Sequence, residues 1–311
     1  MGVDLRAKFV GCMVGSALGD AIGEMAFRFP ERDRLRRAVD GADTLRYTDD
    51  TAMALGLAEA LVQKGRVDQQ WLGDIFRRNF HREPWRGYAS GPPTLFSTVS
   101  RTGVSYLEAA RGLFGGQGSL GNGAAMRIGP LGLYFHRSDH LYEEACASAE
   151  VTHAHPVGKD GSAVQALAVA RAVTLDPELP LTPEGLARVL EGFARTQEVR
   201  QKMALVGSLI REDVRPAAAA SVLGRGVAVH ESMPFAIYSF LRHPHSFEEC
   251  LFCAVLNGGD RDTLGAMACA ISGAYLGAGA IPQGWARKLE NRSAIERLAE
   301  ELLRATNLHR G

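Results

Sequence analysis

Strand signals are nearly missing from this sequence. No runs of alternating β-branched residues flank a hairpin turn, and Asn122-Gly123 sits inside a glycine run instead. Cysteine is scarce: Cys12, Cys146, Cys250, Cys253 and Cys269 are scattered and odd in number. Cys250-Leu-Phe-Cys253 has CxxC spacing, but neither a second pair nor a nearby histidine completes a zinc site. The five read as core or helix-face thiols of a protein kept in a reducing cytoplasm. Net charge is missing too. The 35 Lys plus Arg balance 35 Asp plus Glu, so no global field points to nucleic acid or an anionic membrane. A membrane span is also unexpected, because the apolar stretch Phe9–Phe27 carries Asp20 and Glu24, which argue equally against a signal peptide. Neither a long linker nor a low-complexity tract divides the chain.

Helical periodicity is what the sequence has in abundance. Apolar residues recur at three- and four-residue spacing over Ala52–Lys64, Gln70–Asn79, Tyr142–Glu150, Ser162–Val173, Pro183–Thr196, Phe247–Val255, Leu264–Gly277 and Ser293–Arg304. Connectors such as Leu175–Thr182 are short and carry Pro or Gly. The expectation is one all-α domain over residues 1–311. Within Phe9–Phe27, Gly11, Gly15 and Gly19 recur every four positions, so they line one helix face and predict a close helix crossing.

A glycine-rich stretch, Phe114–Gly123, stands apart. So many glycines stabilise neither helix nor strand. Their use is close backbone approach to a ligand, with N–H groups turned toward an anion such as phosphate; the plain alternative is a surface loop. The stretch is neither a P-loop nor a Rossmann fingerprint.

Two acidic corners flank the chain. Thr48-Asp49-Asp50-Thr51 precedes the run from Ala52, and Asp260-Arg261-Asp262-Thr263 precedes the run from Leu264. Taken singly, each is a helix N-cap whose carboxylates complement the helix dipole. Taken together, they hold more carboxylates than capping needs. Hard oxygen ligands of this kind suit Mg²⁺ or Mn²⁺, and two ions sharing a bridging Asp fit the count.

Five motifs in order carry a resemblance: Gly19-Asp20, Tyr47–Thr51, Gly118–Arg127, Thr152-His-Ala154 and Gly258–Thr263. Together they resemble the ADP-ribosylglycohydrolases, enzymes related to dinitrogenase reductase-activating glycohydrolase and the eukaryotic ADP-ribosylhydrolases. Glu231–Arg242 and Arg86-Gly-Tyr88 look closest to the branch that removes ADP-ribose from serine. The resemblance implies a compact orthogonal helical bundle with a central cleft holding two Mg²⁺ (or Mn²⁺) ions. It assigns Thr48, Asp49, Asp50, Asp260, Asp262 and Thr263 to the metals, with Asp49 and Asp50 also catalytic. It places Gln117, Gly118, Ser119, Leu120, Gly121, Asn122 and Gly123 around the diphosphate and ribose, and His153 against the ligand. Phe114 would stack on adenine and Val227 would wall the same pocket. The partners implied are ADP-ribose and ADP-ribosylated proteins or peptides.

The sequence departs from the family pattern at two places. The family's mobile Glu falls seven residues after Gly-Asp, a position held here by Phe27. Glu24, one helical turn beyond Asp20, is the expected replacement, and Glu31 the second candidate. Leu120 stands where the serine branch often has an aromatic. A non-catalytic ADP-ribose binder and a metal-dependent phosphoester hydrolase are the competing readings. His155, His230, His243 and His245 show no ligand spacing tied to the acidic corners, and Arg32–Arg37 reads as a solvated helix face.

Overall fold

Seventeen α-helices and two short 3₁₀ turns make up the regular structure of the computed structural model, which describes residues 4–308; no strand occurs among them. The helices are α1 Leu5–Arg28, α2 Arg32–Gly41, α3 Asp49–Lys64, α4 Gln69–Arg82, α5 Gly91–Thr102 and α6 Tyr106–Gly116. They continue with α7 Gly129–Tyr134, α8 Leu141–Glu150, α9 Pro156–Thr174, α10 Pro183–Phe193, α11 Gln197–Arg211 and α12 Pro216–Leu223. The last are α13 Val229–Arg242, α14 Phe247–Val255, α15 Arg261–Leu276, α16 Gln283–Lys288 and α17 Arg292–Leu308. The all-α expectation holds.

The expected close crossing is the centre of the molecule. A Cβ added at Gly11 would stand 2.4 Å from the Gly273 carbonyl oxygen, at Gly15 2.7 Å from that of Cys269, and at Gly19 2.1 Å from that of Gly265. Gly23 extends the stripe, at 2.4 Å from the Arg261 carbonyl oxygen. The glycines climb α1 as their partners descend α15, so the two helices run antiparallel, backbone against backbone. The C-terminal end of α1, with Asp20 and Glu24, is thereby laid against the N-terminus of α15. Although α1 is long and apolar enough to cross a membrane, 89% of its apolar window is buried inside the protein.

One expectation is corrected. The run Pro183–Thr196 ends at Phe193, and α11 starts at Gln197. The cause is remote. Buried Asp160 accepts from the Thr196 N–H at 2.7 Å and from the Arg195 N–H at 3.0 Å, fixing the reversal. The Arg32–Arg37 face is helical and solvent-exposed as expected, and Arg32 and Arg36 reach Glu249 and Glu248 of α14 at 2.8 and 2.7 Å. All five cysteines are free, four of them buried and Cys146 half-buried.

Candidate active site

Thr48 is the N-cap of α3 and Asp260 the N-cap of α15, yet neither side chain makes a capping hydrogen bond. Capping therefore does not account for these residues. Thr48 turns to Asp20, whose Oδ1 accepts from the Thr48 hydroxyl at 2.8 Å. The same carboxylate takes the Thr48 and Thr51 N–H groups at 3.0 Å and the Thr51 hydroxyl at 2.5 Å. Asp20, fully buried, is the peg on which the first corner hangs.

The corners repel each other. Burial, and then the charges of Asp20 and Asp260, push Asp49 up to about 7. Burial, then Asp260 and Asp20, push Asp262 up to about 8. Asp50 is raised well above the ordinary 3.8 by burial and by Asp20, Asp262, Asp49 and Asp260. Asp20 rises to about 6 through burial, held back by its threonine donors. Asp50 Oδ2 accepts from the Thr48 hydroxyl at 3.1 Å, while its buried Oδ1 has no hydrogen-bond partner. An orphaned carboxylate oxygen amid like charges is costly unless a cation or donor meets it. Among the described residues, no cluster of three or more His, Cys, Asp or Glu side chains converges as a metal-holding group, so the expected binuclear centre is not displayed as such.

The glycine stretch supplies the opposite wall. Helix α6 breaks at Leu113, and Phe114 enters the left-handed region at φ 53°, ψ 47°. That conformation is strained for an aromatic residue, and Phe114 is 64% exposed. The expectation of free N–H groups is narrowed. Gly118 donates to the Leu113 carbonyl at 3.0 Å and Asn122 to the Val227 carbonyl at 2.8 Å. Gly121 donates to Ser119 Oγ at 3.1 Å. The strap carrying Val227 also accepts the Asp260 N–H through the Arg225 carbonyl at 2.9 Å, so one segment ties the glycine wall to the second corner. A Cβ at Gly123 would stand 2.8 Å from the His153 ring, which is why glycine is needed there.

Both walls enclose a cavity of about 370 Å³. It brings together Asp49, Asp50, Asp260, Asp262 and Thr263 with Phe114, Ser119, Gly121, Asn122, Gly123, His153 and Val227. Gln117, Gly118, Leu120, Thr48 and Glu24 do not line it. Gly118 is buried against Ala154 and His155, Gln117 is exposed, and Thr48 faces Asp20. Glu24 is exposed, but its charge is felt by Asp262. Glu31 is exposed and paired with Arg34 at 2.9 Å.

The structure adds residues that sequence reasoning passed over. Buried Arg127 and the segment Ala89–Pro92 also line the cavity. Arg86 holds that segment by donating to the Tyr47 carbonyl at 2.9 Å and pairing with Glu290, which sets Gly87 beside Thr48 and Asp49. The signal for Arg127 was its place at the end of the Gly118–Arg127 motif.

Comparison with known proteins agrees along the whole chain. Residues 1–311 match the family model described as ADP-ribosylglycohydrolase. The chain is 32% identical over 341 residues to ADP-ribosylhydrolase ARH3 of Mus musculus, covering 96% of this chain and 91% of that protein. It is likewise 32% identical to ARH3 of Xenopus tropicalis over 335 residues, with 95% of each covered. A solved structure described as an ADP-ribosylglycohydrolase-related protein complex is similar with a TM-score of 0.69 and 27% identity, over 97% of this chain and 99% of that one.

Proposed function

The chain belongs to the ADP-ribosylglycohydrolase family, and from that premise we propose that it cleaves the glycosidic bond joining ADP-ribose to a protein side chain, serine first and arginine second, or to a small O-linked derivative. The observation that carries the reading is the pair of uncapped acidic corners facing one cavity, with Asp50 Oδ1 orphaned between them. The donor set fits two Mg²⁺ ions, with Mn²⁺ an alternative: hard oxygens from Thr48, Asp49 and Asp50 on one side and Asp260, Asp262 and Thr263 on the other. Mg²⁺ keeps several waters and takes only one or two carboxylates, so a converged group of three is not required. When bound, such ions orient vicinal ribose hydroxyls and lower the pKa of water.

The chain's own residues do the rest. Asp49 and Asp50, on the cavity wall, place negative charge where an oxocarbenium-like state develops. Glu24, within the field of Asp262, takes a proton from the attacking water as the new C–O bond forms, and that proton passes to the departing side-chain oxygen or nitrogen as the glycosidic bond breaks. Ser119, Gly121, Asn122, Gly123 and His153 hold the diphosphate and ribose, and exposed Phe114 and Val227 take the adenine. The free thiols suit a cytoplasmic setting.

The test is incubation with Mg²⁺ and serine-, then arginine-ADP-ribosylated peptide, beside Asp260→Ala. Free ADP-ribose released by the wild type alone supports the reading. Tight ADP-ribose binding without release from any substrate replaces it with a non-catalytic binder, and loss of terminal phosphate with a phosphoester hydrolase.

A further inference from the structure

Arg127 is fully buried beneath the cavity, with its guanidinium carbon 4.7 Å from the centre of the Phe76 ring. It donates to the Gly123 carbonyl at 2.9 Å, to the Ser148 carbonyl at 3.2 Å and to the Thr152 hydroxyl oxygen at 2.8 Å. The same hydroxyl lies 2.7 Å from His153 Nδ1. A guanidinium only donates, so Thr152 Oγ1 must accept from Arg127. The hydroxyl has one proton, and the partner left for it is His153 Nδ1. Nδ1 then accepts, which puts the ring proton on Nε2. Nε2 faces the two glycines of the cavity wall: a Cβ at Gly123 would be 3.0 Å from it and one at Gly121 3.5 Å.

We infer that Arg127 and Thr152 are positioning residues that lock His153 as its Nε2–H tautomer, giving the cavity a fixed, uncharged donor for an anionic oxygen of the ligand. The inference rests on the proposed ADP-ribose site and names how one of its contacts is set. Burial, with the Arg127 charge second, holds His153 down to about 3, so the ring stays neutral near physiological pH. A protonated histidine would gain charge attraction but would leave its second N–H facing the Thr152 hydroxyl that Arg127 already polarises. The neutral donor keeps its geometry whether or not ligand is bound. Its other polar atom is engaged, so the ring cannot flip without losing a buried hydrogen bond.

The deciding measurement is a long-range ¹H–¹⁵N correlation on the full chain with ¹⁵N-labelled histidine, His153 being identified by the signals lost in His153→Ala. A protonated, pyrrole-type Nε2 and an unprotonated, pyridine-type Nδ1, unchanged between about pH 6 and 8, are expected. Nδ1–H in the wild type overturns the inference without any variant. Thr152→Val, which removes the hydroxyl but keeps the shape, should mix the tautomers. It should also weaken ADP-ribose binding about tenfold with a smaller effect on kcat, and Thr152→Ser should restore both. An unchanged tautomer and affinity in Thr152→Val also overturns it. Failure of the wild type to bind ADP-ribose or release it from peptide defeats the functional reading instead, and the tautomer is still decided by the spectrum.

Discussion

Asn122 Nδ2 donates to Asp260 Oδ2 at 2.7 Å, so a residue of the glycine wall grips a carboxylate of the second acidic corner. The same amide nitrogen lies 3.2 Å from Ser232 Oγ, which fixes its orientation from helix α13. A carboxylate aimed by a charge-assisted hydrogen bond is a better ligand than a free one. The wall and the corner therefore form one unit rather than two neighbouring features.

The first prediction follows from that contact. Asn122→Ala frees Asp260 to rotate and should lower Mn²⁺ affinity by about 10- to 100-fold, the usual effect of removing a partner behind a metal ligand. Isothermal titration of the metal-free protein measures it. Equal affinity in wild type and variant would mean that Asp260 needs no such guide.

Asp50 supplies a prediction of opposite sign for stability and function. Its orphaned Oδ1 and four acidic neighbours make it a liability in the metal-free protein. Asp50→Asn keeps the shape and removes the charge, so it should stabilise the metal-free protein by about 1–3 kcal/mol. It should also abolish turnover. Added Mg²⁺ should raise the melting temperature of the wild type by mass action and leave the variant where it was. A variant that still responds to Mg²⁺ would remove Asp50 from the ligand set.

The pH dependence can be worked out from the same charges. Asp49 at about 7 and Asp262 at about 8 lie above the ordinary 3.8, so between those values the native state holds protons that the unfolded chain has lost. Their contribution is present in full below about pH 4 and disappears as pH rises through 7 and 8. His153, held down to about 3 from 6.5, acts in the opposite sense, but only below 6.5. Lys8, lowered from 10.5 to about 8 by burial, opposes only above 8. The clean window is pH 6.5 to 8. There, urea unfolding with a chelator present should show stability falling as pH rises. Mg²⁺ affinity should rise over the same range, because binding requires the ionised carboxylates. A metal-free stability that climbs with pH would show that the acidic corners are not held protonated.

Much of this could be read from the residues, and the exceptions have identifiable physical causes. The glycine stripe of α1 and the placing of both acidic corners just ahead of helical runs follow from local spacing. Asp20 was opaque because its partners, Thr48 and Thr51, lie 28 and 31 residues away, and nothing local marks a carboxylate as a peg. Asp160 ends the expected 183–196 helix from 36 residues upstream. Helices α5, α7 and α12 begin with Gly-Pro or Pro, which reads as a breaker in sequence but serves as a first-turn residue in the fold. Gln117 and Leu120 share the glycine stretch with residues that reach the cavity, but side-chain direction there depends on φ angles that the composition does not encode.

Phe114 separates stability from binding in another way. Its left-handed backbone costs about 1–3 kcal/mol in a non-glycine residue, and its ring is largely exposed at the cavity. Phe114→Gly removes both the strain and the ring. The expected result is a protein about 1 kcal/mol more stable that binds ADP-ribose about tenfold more weakly, as loss of one aromatic stack implies. Thermal unfolding and an ADP-ribose titration read the two effects separately. A variant with unchanged affinity would take adenine stacking away from Phe114.

Glu24 carries the last prediction. The family position seven residues beyond Gly-Asp is Phe27, half exposed, and a phenyl ring neither accepts a proton from water nor supplies an oxygen ligand to a metal ion. Of the two nearby carboxylates, Glu31 is exposed and already paired with Arg34. Glu24 lies one turn beyond Asp20, directly after Gly23, which touches the Arg261-Asp262 backbone, and its charge reaches Asp262. The tight crossing of α1 on α15 places the turn that carries Glu24 beside the N-terminus of α15, outside the cavity lining. Glu24→Gln should lower kcat on serine-ADP-ribosylated peptide by about 10²–10⁴-fold, the range for loss of a general base. ADP-ribose affinity should change little, because the residue does not line the binding wall. Glu31→Gln should leave kcat within about twofold, since it removes only an exposed ion pair. Full turnover in Glu24→Gln with loss in Glu31→Gln would reverse the assignment, and full turnover in both would require water to be activated without either carboxylate.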